Sequence, residues 1–225
     1  MGTGSRQRTT WICALRRLMR EDNLLCVARR KFVPTTDSAH PLPVYPNLPP
    51  TLQVNGINQL WVADITCIRL EDEFVYLAVV LDAHSRRLVG WNLDRTLAGP
   101  LTVGALEMAL ARRGPQPGLV PHSDRGVQYA ARAYTCLLER NGITVNMSRK
   151  GNPWDNAACE SFMKTLKAEE ANRSEYRDVA DPRTRIGRFL ESVYNARRLH
   201  SALGYRSPEE FERNLEPATE GKNAA

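Results

Sequence analysis

Three β-prone segments follow one another between Leu60 and Asp94, with only three residues between each and the next, and this spacing constrains the fold more than any other feature of the chain. The segments are Leu60 to Leu70, Phe74 to Asp82 and Arg86 to Asp94, linked by Glu71-Asp72-Glu73 and Ala83-His84-Ser85. A parallel pair needs a crossover of about a dozen residues, so links this short demand antiparallel hairpins. The middle segment is apolar without a break from Phe74 to Leu81, the pattern of a strand buried on both faces. That is the longest apolar run in the chain, and it falls far short of the roughly 20 residues that cross a bilayer.

After this meander the pattern alternates. Pro100 opens a helix predicted over Leu101 to Arg113, which Gly114-Pro115-Gln116-Pro117-Gly118 ends. A short buried strand, Leu119-Val120, leads into His122-Ser123-Asp124. Ala130 to Asn141 reads as a helix with Gly142 as its C-terminal cap, and Ile143 to Met147 as a fifth strand. Gly151-Asn152-Pro153 precedes a helix from Trp154 to Glu170, and a last long helix runs from Asp181 to Arg198. The expected fold is therefore α/β: a five-stranded mixed sheet flanked by helices.

The first 57 residues differ in character from the rest. Trp11 to Leu25 has helical periodicity with arginines opposite the apolar face, Arg29-Arg30-Lys31 follows, and six prolines lie between residues 34 and 50. We read residues 1–57 as a basic helix and proline-rich linker, 58–216 as the globular core with its C-terminal helices, and 217–225 as a tail. Residues 1–50 carry eight Lys/Arg against three Asp/Glu, so most of the formal charge of +6 lies there. A basic segment beside a near-neutral domain suits a polyanion, although a solvated basic face is equally compatible with the count. The five cysteines, Cys13, Cys26, Cys67, Cys136 and Cys159, show no metal or redox spacing and read as reduced thiols. With no signal sequence or membrane span in view, the expected location is cytoplasmic.

Three carboxylates draw attention. Asp64 lies within an apolar strand on the same face as Val62, Thr66 and Ile68, where a charge is costly unless it is paired or ligates a metal. Asp124 follows the fourth strand directly, where a side chain lines the crevice at a sheet edge, though Asp124-Arg125-Gly126 is equally an ordinary turn. Glu160 shares a helical stripe with Asn156, Lys164 and Lys167, a face that suits either metal and phosphate or solvent with a Glu160–Lys164 pair. Taken together, three oxygen donors at one sheet edge suit Mg²⁺ or Mn²⁺, and two such ions support in-line phosphoryl displacement.

These residues resemble the integrase-like catalytic domain shared by retroviral integrases and bacterial insertion-sequence transposases, a ribonuclease H-like fold. Thirty-five residues separate Asp124 from Glu160, the spacing of the Asp-Asp-Glu class. The likeness also rests on Trp61 to Thr66, His122 to Tyr129, Ser148 to Ala157, Glu160-Ser161-Phe162 with Lys164 and Lys167, and Tyr194-Asn195 with Arg198 and His200 to Tyr205. More narrowly, the chain is similar to second-frame transposase products. The resemblance implies metal ligation by Asp64, Asp124 and Glu160, support from Asn156, and DNA contacts by Lys164, Lys167, Arg125 and His200, with Ser123 nearby. It further implies DNA ends and target as partners, a homo-oligomer on DNA, and a helix-turn-helix that lies in a longer N-terminal region or in a first-frame partner protein. Two rivals accompany it: a truncated, non-catalytic fragment that binds DNA or full-length transposase as a competitor, and a ribonuclease H-type nuclease for RNA–DNA hybrids.

Overall fold

The computed structural model describes residues 43, 45, 53–115, 118–147 and 157–215. The helix expected over Trp11 to Leu25, most of the proline-rich segment, Asn156 and the tail lie outside these residues.

The chain enters the sheet as three strands, β1 (Leu60–Arg69), β2 (Phe74–Asp82) and β3 (Leu88–Asp94). Each pairs antiparallel with the next, as the three-residue links require. Helix α1 (Gly99–Arg113) crosses over to β4 (Val120–Ser123), which pairs parallel with β1. Two helices, α2 (Val127–Ala130) and α3 (Arg132–Arg140), lead to β5 (Asn146–Met147), parallel to β4. The sheet order is β3-β2-β1-β4-β5, so β1 is central and joins the antiparallel and parallel halves.

Each face of the sheet carries its own core. Trp61, Ala63, Ala78 and Val80 point toward α1 and α3, where Leu101, Leu106 and Leu138 meet them. Contact there is close: a Cβ on Gly90 of β3 would collide with the Ala105 carbonyl and stand 2.9 Å from the Ala109 Cβ, so only glycine fits. Val62, Ile68, Leu77, Val79 and Leu81 point the other way, toward α4 (Ala157–Leu166) and α5 (Ala180–Arg188). Both helices run on into a turn of π-helix, Lys167–Ala171 and Phe189–Asn195, marked by i−5 bonds from the Asn172 N–H to the Lys167 carbonyl (2.9 Å) and from Arg198 to Val193 (2.8 Å). A 3₁₀ turn (Ser201–Leu203) and helix α6 (Pro208–Leu215) complete the described chain.

Several boundaries differ from the sequence reading. The third strand starts at Leu88, because Arg86 takes a left-handed backbone (φ 61°) in the turn before it. The helix expected over Ala130 to Asn141 breaks at Ala131, whose ψ of 137° is extended while its carbonyl accepts the N–H groups of Tyr134 and Thr135. The fourth strand reaches Ser123, and only Asn146 and Met147 pair in the fifth. Helix α6 was not expected. It is fastened by Glu212, which accepts hydrogen bonds from Ser85 (2.6 Å), Arg87 (2.7 Å) and Arg113 (2.5 Å).

Candidate active site

Strand register brings the two aspartates together. Val62 pairs with His122 and Ala63 with Ser123 across the parallel β1–β4 seam. The residues that follow are Asp64 and Asp124, so the two carboxylates project from adjoining chains about 4.8 Å apart in the sheet. Asp64 sits opposite Val79 of β2 and faces the α4 side. The Asp124 carboxylate accepts the Gly126 N–H at 2.9 Å, which closes the turn after β4 and fixes the side chain at the strand end.

Electrostatics at Asp64 record the crowding. Burial first, and the Asp124 charge second, push its carboxyl up to about 7, and Glu160 adds to the rise. The Ile65 N–H, 2.8 Å from Oδ1, and the Lys167 ammonium act in the opposite direction. The buried phenol of Tyr129 and the buried thiol of Cys159 are also pushed well up, by burial and by these same aspartates. A thiol so disposed is inert as a nucleophile.

Helix α4 supplies the third carboxylate by amphipathic logic. Cys159, Phe162, Met163 and Leu166 are buried against the sheet, which leaves Glu160 and Lys164 exposed along the flank. Among the described residues, no three His, Cys, Asp or Glu side chains are grouped tightly enough to hold a cation jointly. Asp64 and Asp124 form a pair, and Glu160 acts on Asp64 as the weaker of the two acidic neighbours. The donors fit a hard divalent cation in two respects: all are carboxylate oxygens, and a cation would relieve the repulsion that raises Asp64.

The other residues singled out from sequence divide. Lys167 lies within electrostatic reach of Asp64. Ser123 is buried at the end of β4, and Asn156 lies outside the described residues. His200 stands apart from the aspartates: the charges that act on it are Arg198, Arg86 and Glu169. Asn195 proves structural, accepting the Leu88 N–H (2.9 Å) and donating to the Leu88 carbonyl (3.0 Å), so it extends the edge of β3. Tyr129 is a neighbour of the aspartates to which sequence reasoning gave no role; its place in the run after Asp124 was the available signal.

A five-stranded mixed sheet with an aspartate on its central strand and another at the end of the parallel neighbour defines a ribonuclease H-like, integrase-type core. Solved structures agree. The simian T-cell lymphotropic virus intasome in complex with PP2A regulatory subunit B56 gamma matches with a TM-score of 0.59 and 17% identity, over 92% of this chain and 70% of that one. The catalytic core of BIV integrase matches with a TM-score of 0.52 and 19% identity, over 71% and 96%. An HTLV-2 integrase catalytic core in complex with magnesium matches with a TM-score of 0.51 and 13% identity, over 69% and 97%.

Two family models, both described as integrase core domain, match residues 55–153 and 141–208. An uncharacterized 31 kDa protein of insertion element IS600 from Shigella sonnei is 41% identical over 88% of this chain and 73% of its own length. The transposase InsF of insertion sequence IS3A from Escherichia coli is 38% identical over 86% and 68%, and the IS904 transposase of Lactococcus lactis is 40% identical over 69% and 62%. The chain belongs to the insertion-sequence transposases that carry an integrase core domain, proteins of DNA transposition. Among the described residues no helix is long and apolar enough to cross a membrane.

Proposed function

We propose that this chain carries the polynucleotidyl transferase centre of DNA transposition, with Asp64, Asp124 and Glu160 holding two Mg²⁺ or Mn²⁺ ions. The observation that carries the proposal is the pairing of Asp64 with Asp124 at the end of the β1–β4 seam, with Glu160 acting on Asp64 from α4. When bound, the cations activate the attacking oxygen and stabilise the leaving one. The protein's own part is placement. Asp64 is fixed by the central strand, Asp124 by its turn, and Glu160 by a helix whose apolar face is buried. Lys167 favours the ionised form of Asp64 that a metal requires, and with Lys164 lines the flank along which a phosphodiester would lie. Water serves as nucleophile in cutting an element end, and the freed 3′-hydroxyl then attacks target DNA. Positioning and charge neutralisation supply the rate, so no side chain forms a bond to the substrate.

DNA ends and target are the substrates, and the protein works in the cytoplasm, where a bacterial chromosome lies. Joining two ends requires at least two copies on DNA. A helix-turn-helix, in the same polypeptide or in a first-frame partner, recognises the ends. Intact carboxylates at all three positions favour the enzyme over a competitor fragment.

The test compares wild type with Glu160→Gln on DNA bearing the element's ends, with Mg²⁺ or Mn²⁺. Wild type yields metal-dependent nicks and strand-transfer products; the folded variant yields none. An active, folded Glu160→Gln protein would overturn the assignment, and a folded wild type that never cuts DNA would favour the competitor reading.

A further inference from the structure

The geometry of one loop is left unused by the acidic centre. His200 to Arg206 forms a closed unit: the His200 N–H donates to the Arg206 carbonyl (3.1 Å) and the Tyr205 N–H to the His200 carbonyl (2.9 Å). Two successive left-handed residues, Gly204 (φ 64°) and Tyr205 (φ 58°), turn the chain, and Tyr205 holds this uncommon backbone while 72% exposed. The loop thereby sets His200 against Tyr194, ring to ring at 5.2 Å, and Tyr194 in turn meets Phe162 of α4 at 4.8 Å. Beside them opens a pocket of about 350 Å³, lined among others by Arg86, Ser161, Thr165, Arg198 and His200.

We infer that this pocket is a second subsite for a DNA backbone phosphate, separate from the acidic centre and opening about one residue's turn around α4 from Glu160. Three basic side chains from three elements meet there: Arg86 from the β2–β3 turn, Arg198 after α5, and His200 from the loop. Two hydroxyls on α4, Ser161 and Thr165, add neutral donors. One carboxylate is near, Glu169, and it pairs with Arg198. Arg86 makes no hydrogen bond or ion pair among the described residues, although its left-handed backbone places it at the pocket wall. Among the described residues, the buried His200 Nε2 has no hydrogen-bond partner, which is costly unless a ligand meets it. An oxyanion would give Arg86 and the His200 Nε2 a shared partner, beside an Arg198 already paired with Glu169. Burial, then the Arg198 and Arg86 charges, hold the His200 imidazole below its ordinary value, with Glu169 acting the other way.

The inference rests on the transposase reading, because the phosphate is that of DNA, and its test separates the two. Binding of a duplex of arbitrary sequence is measured against salt for wild type, Arg86→Asn, Arg86→Lys and Arg86→Asn/His200→Gln, with folding checked by thermal unfolding. Asn suits a left-handed backbone and removes the charge; Lys keeps the charge. Each lost phosphate contact lowers the slope of log K against log salt by about 0.9. The expected result is a slope reduced by about that amount and affinity several-fold weaker for Arg86→Asn, a larger loss in the double variant, and retention in Arg86→Lys. Wild-type slopes in all variants overturn the pocket and leave the acidic centre standing. A wild type that neither binds nor cuts DNA overturns both. The His200 imidazole proton signals, assigned with His200→Gln, shift on addition of DNA; a shift with inorganic phosphate but not with DNA also overturns the assignment to a backbone.

Discussion

Burial of Asp64 carries a cost that the folded protein must absorb. Its ordinary value is 3.8 and the folded protein raises it to about 7, chiefly by burial. The folded state thus holds a proton that the unfolded state has released, and stability falls as pH climbs between those two values. Asn does not titrate. In chelator, Asp64→Asn should match wild type near pH 4 and exceed it at pH 8 by several degrees, at about 2–4 °C per kcal/mol for a protein of this size. Calorimetry at both pH values checks this, and equal differences at the two would show that burial charge is not the cause. The burial of this charge was legible from sequence, because Asp64 lies inside an apolar strand; its role was not, since such an aspartate is as often structural. Asn195 and Glu212 were not. Their partners, Leu88 and Ser85, stand 107 and 127 residues away, and no local pattern reports a bond of that range.

At the scale of elements, the meander was legible because three-residue links leave a strand no choice but to turn back. The break at Ala131 carries no proline or glycine, and the π turns ending α4 and α5 depend on packing, so neither had a signal. Helix α6 escaped for a different reason: it is short, and it is held by distant partners, chiefly through the buried Glu212. Burial alone would raise the Glu212 carboxyl, but hydrogen bonds from Arg113, Ser85 and Arg87 outweigh it and hold the group below its ordinary 4.5. That stabilisation is full above 4.5 and is lost as pH falls through the folded value. Glu212→Gln should cost about 3 kcal/mol at pH 7, since it leaves Arg113 partly buried without its anion, and much less at pH 3. Urea titrations at the two pH values measure the difference; an unchanged midpoint at pH 7 would mean that α6 is held by other contacts.

At the scale of the whole molecule, the two cores divide the labour. One anchors α1 and α3 behind the sheet, and the other presses α4 and α5 against the face from which Asp64 projects. The candidate site thus lies on the face whose helices also line the basic pocket. On the proposed function, joining two DNA ends brings two such molecules together. Sedimentation with end-bearing DNA should give a complex containing at least two copies, and a single copy under conditions that support strand transfer would refute this.

The parallel seam between β1 and β4 has a consequence for the living cell. Its partners lie some sixty residues apart, with α1 threaded between them. A chain emerging from the ribosome completes the β1–β3 meander long before β4 exists to bring up Asp124, and Glu160 arrives later still. On the proposed function, the three carboxylates of the site are all present only once synthesis is well advanced. A chain broken off before α4 would lack Glu160, and the proposal then expects it to cut no DNA.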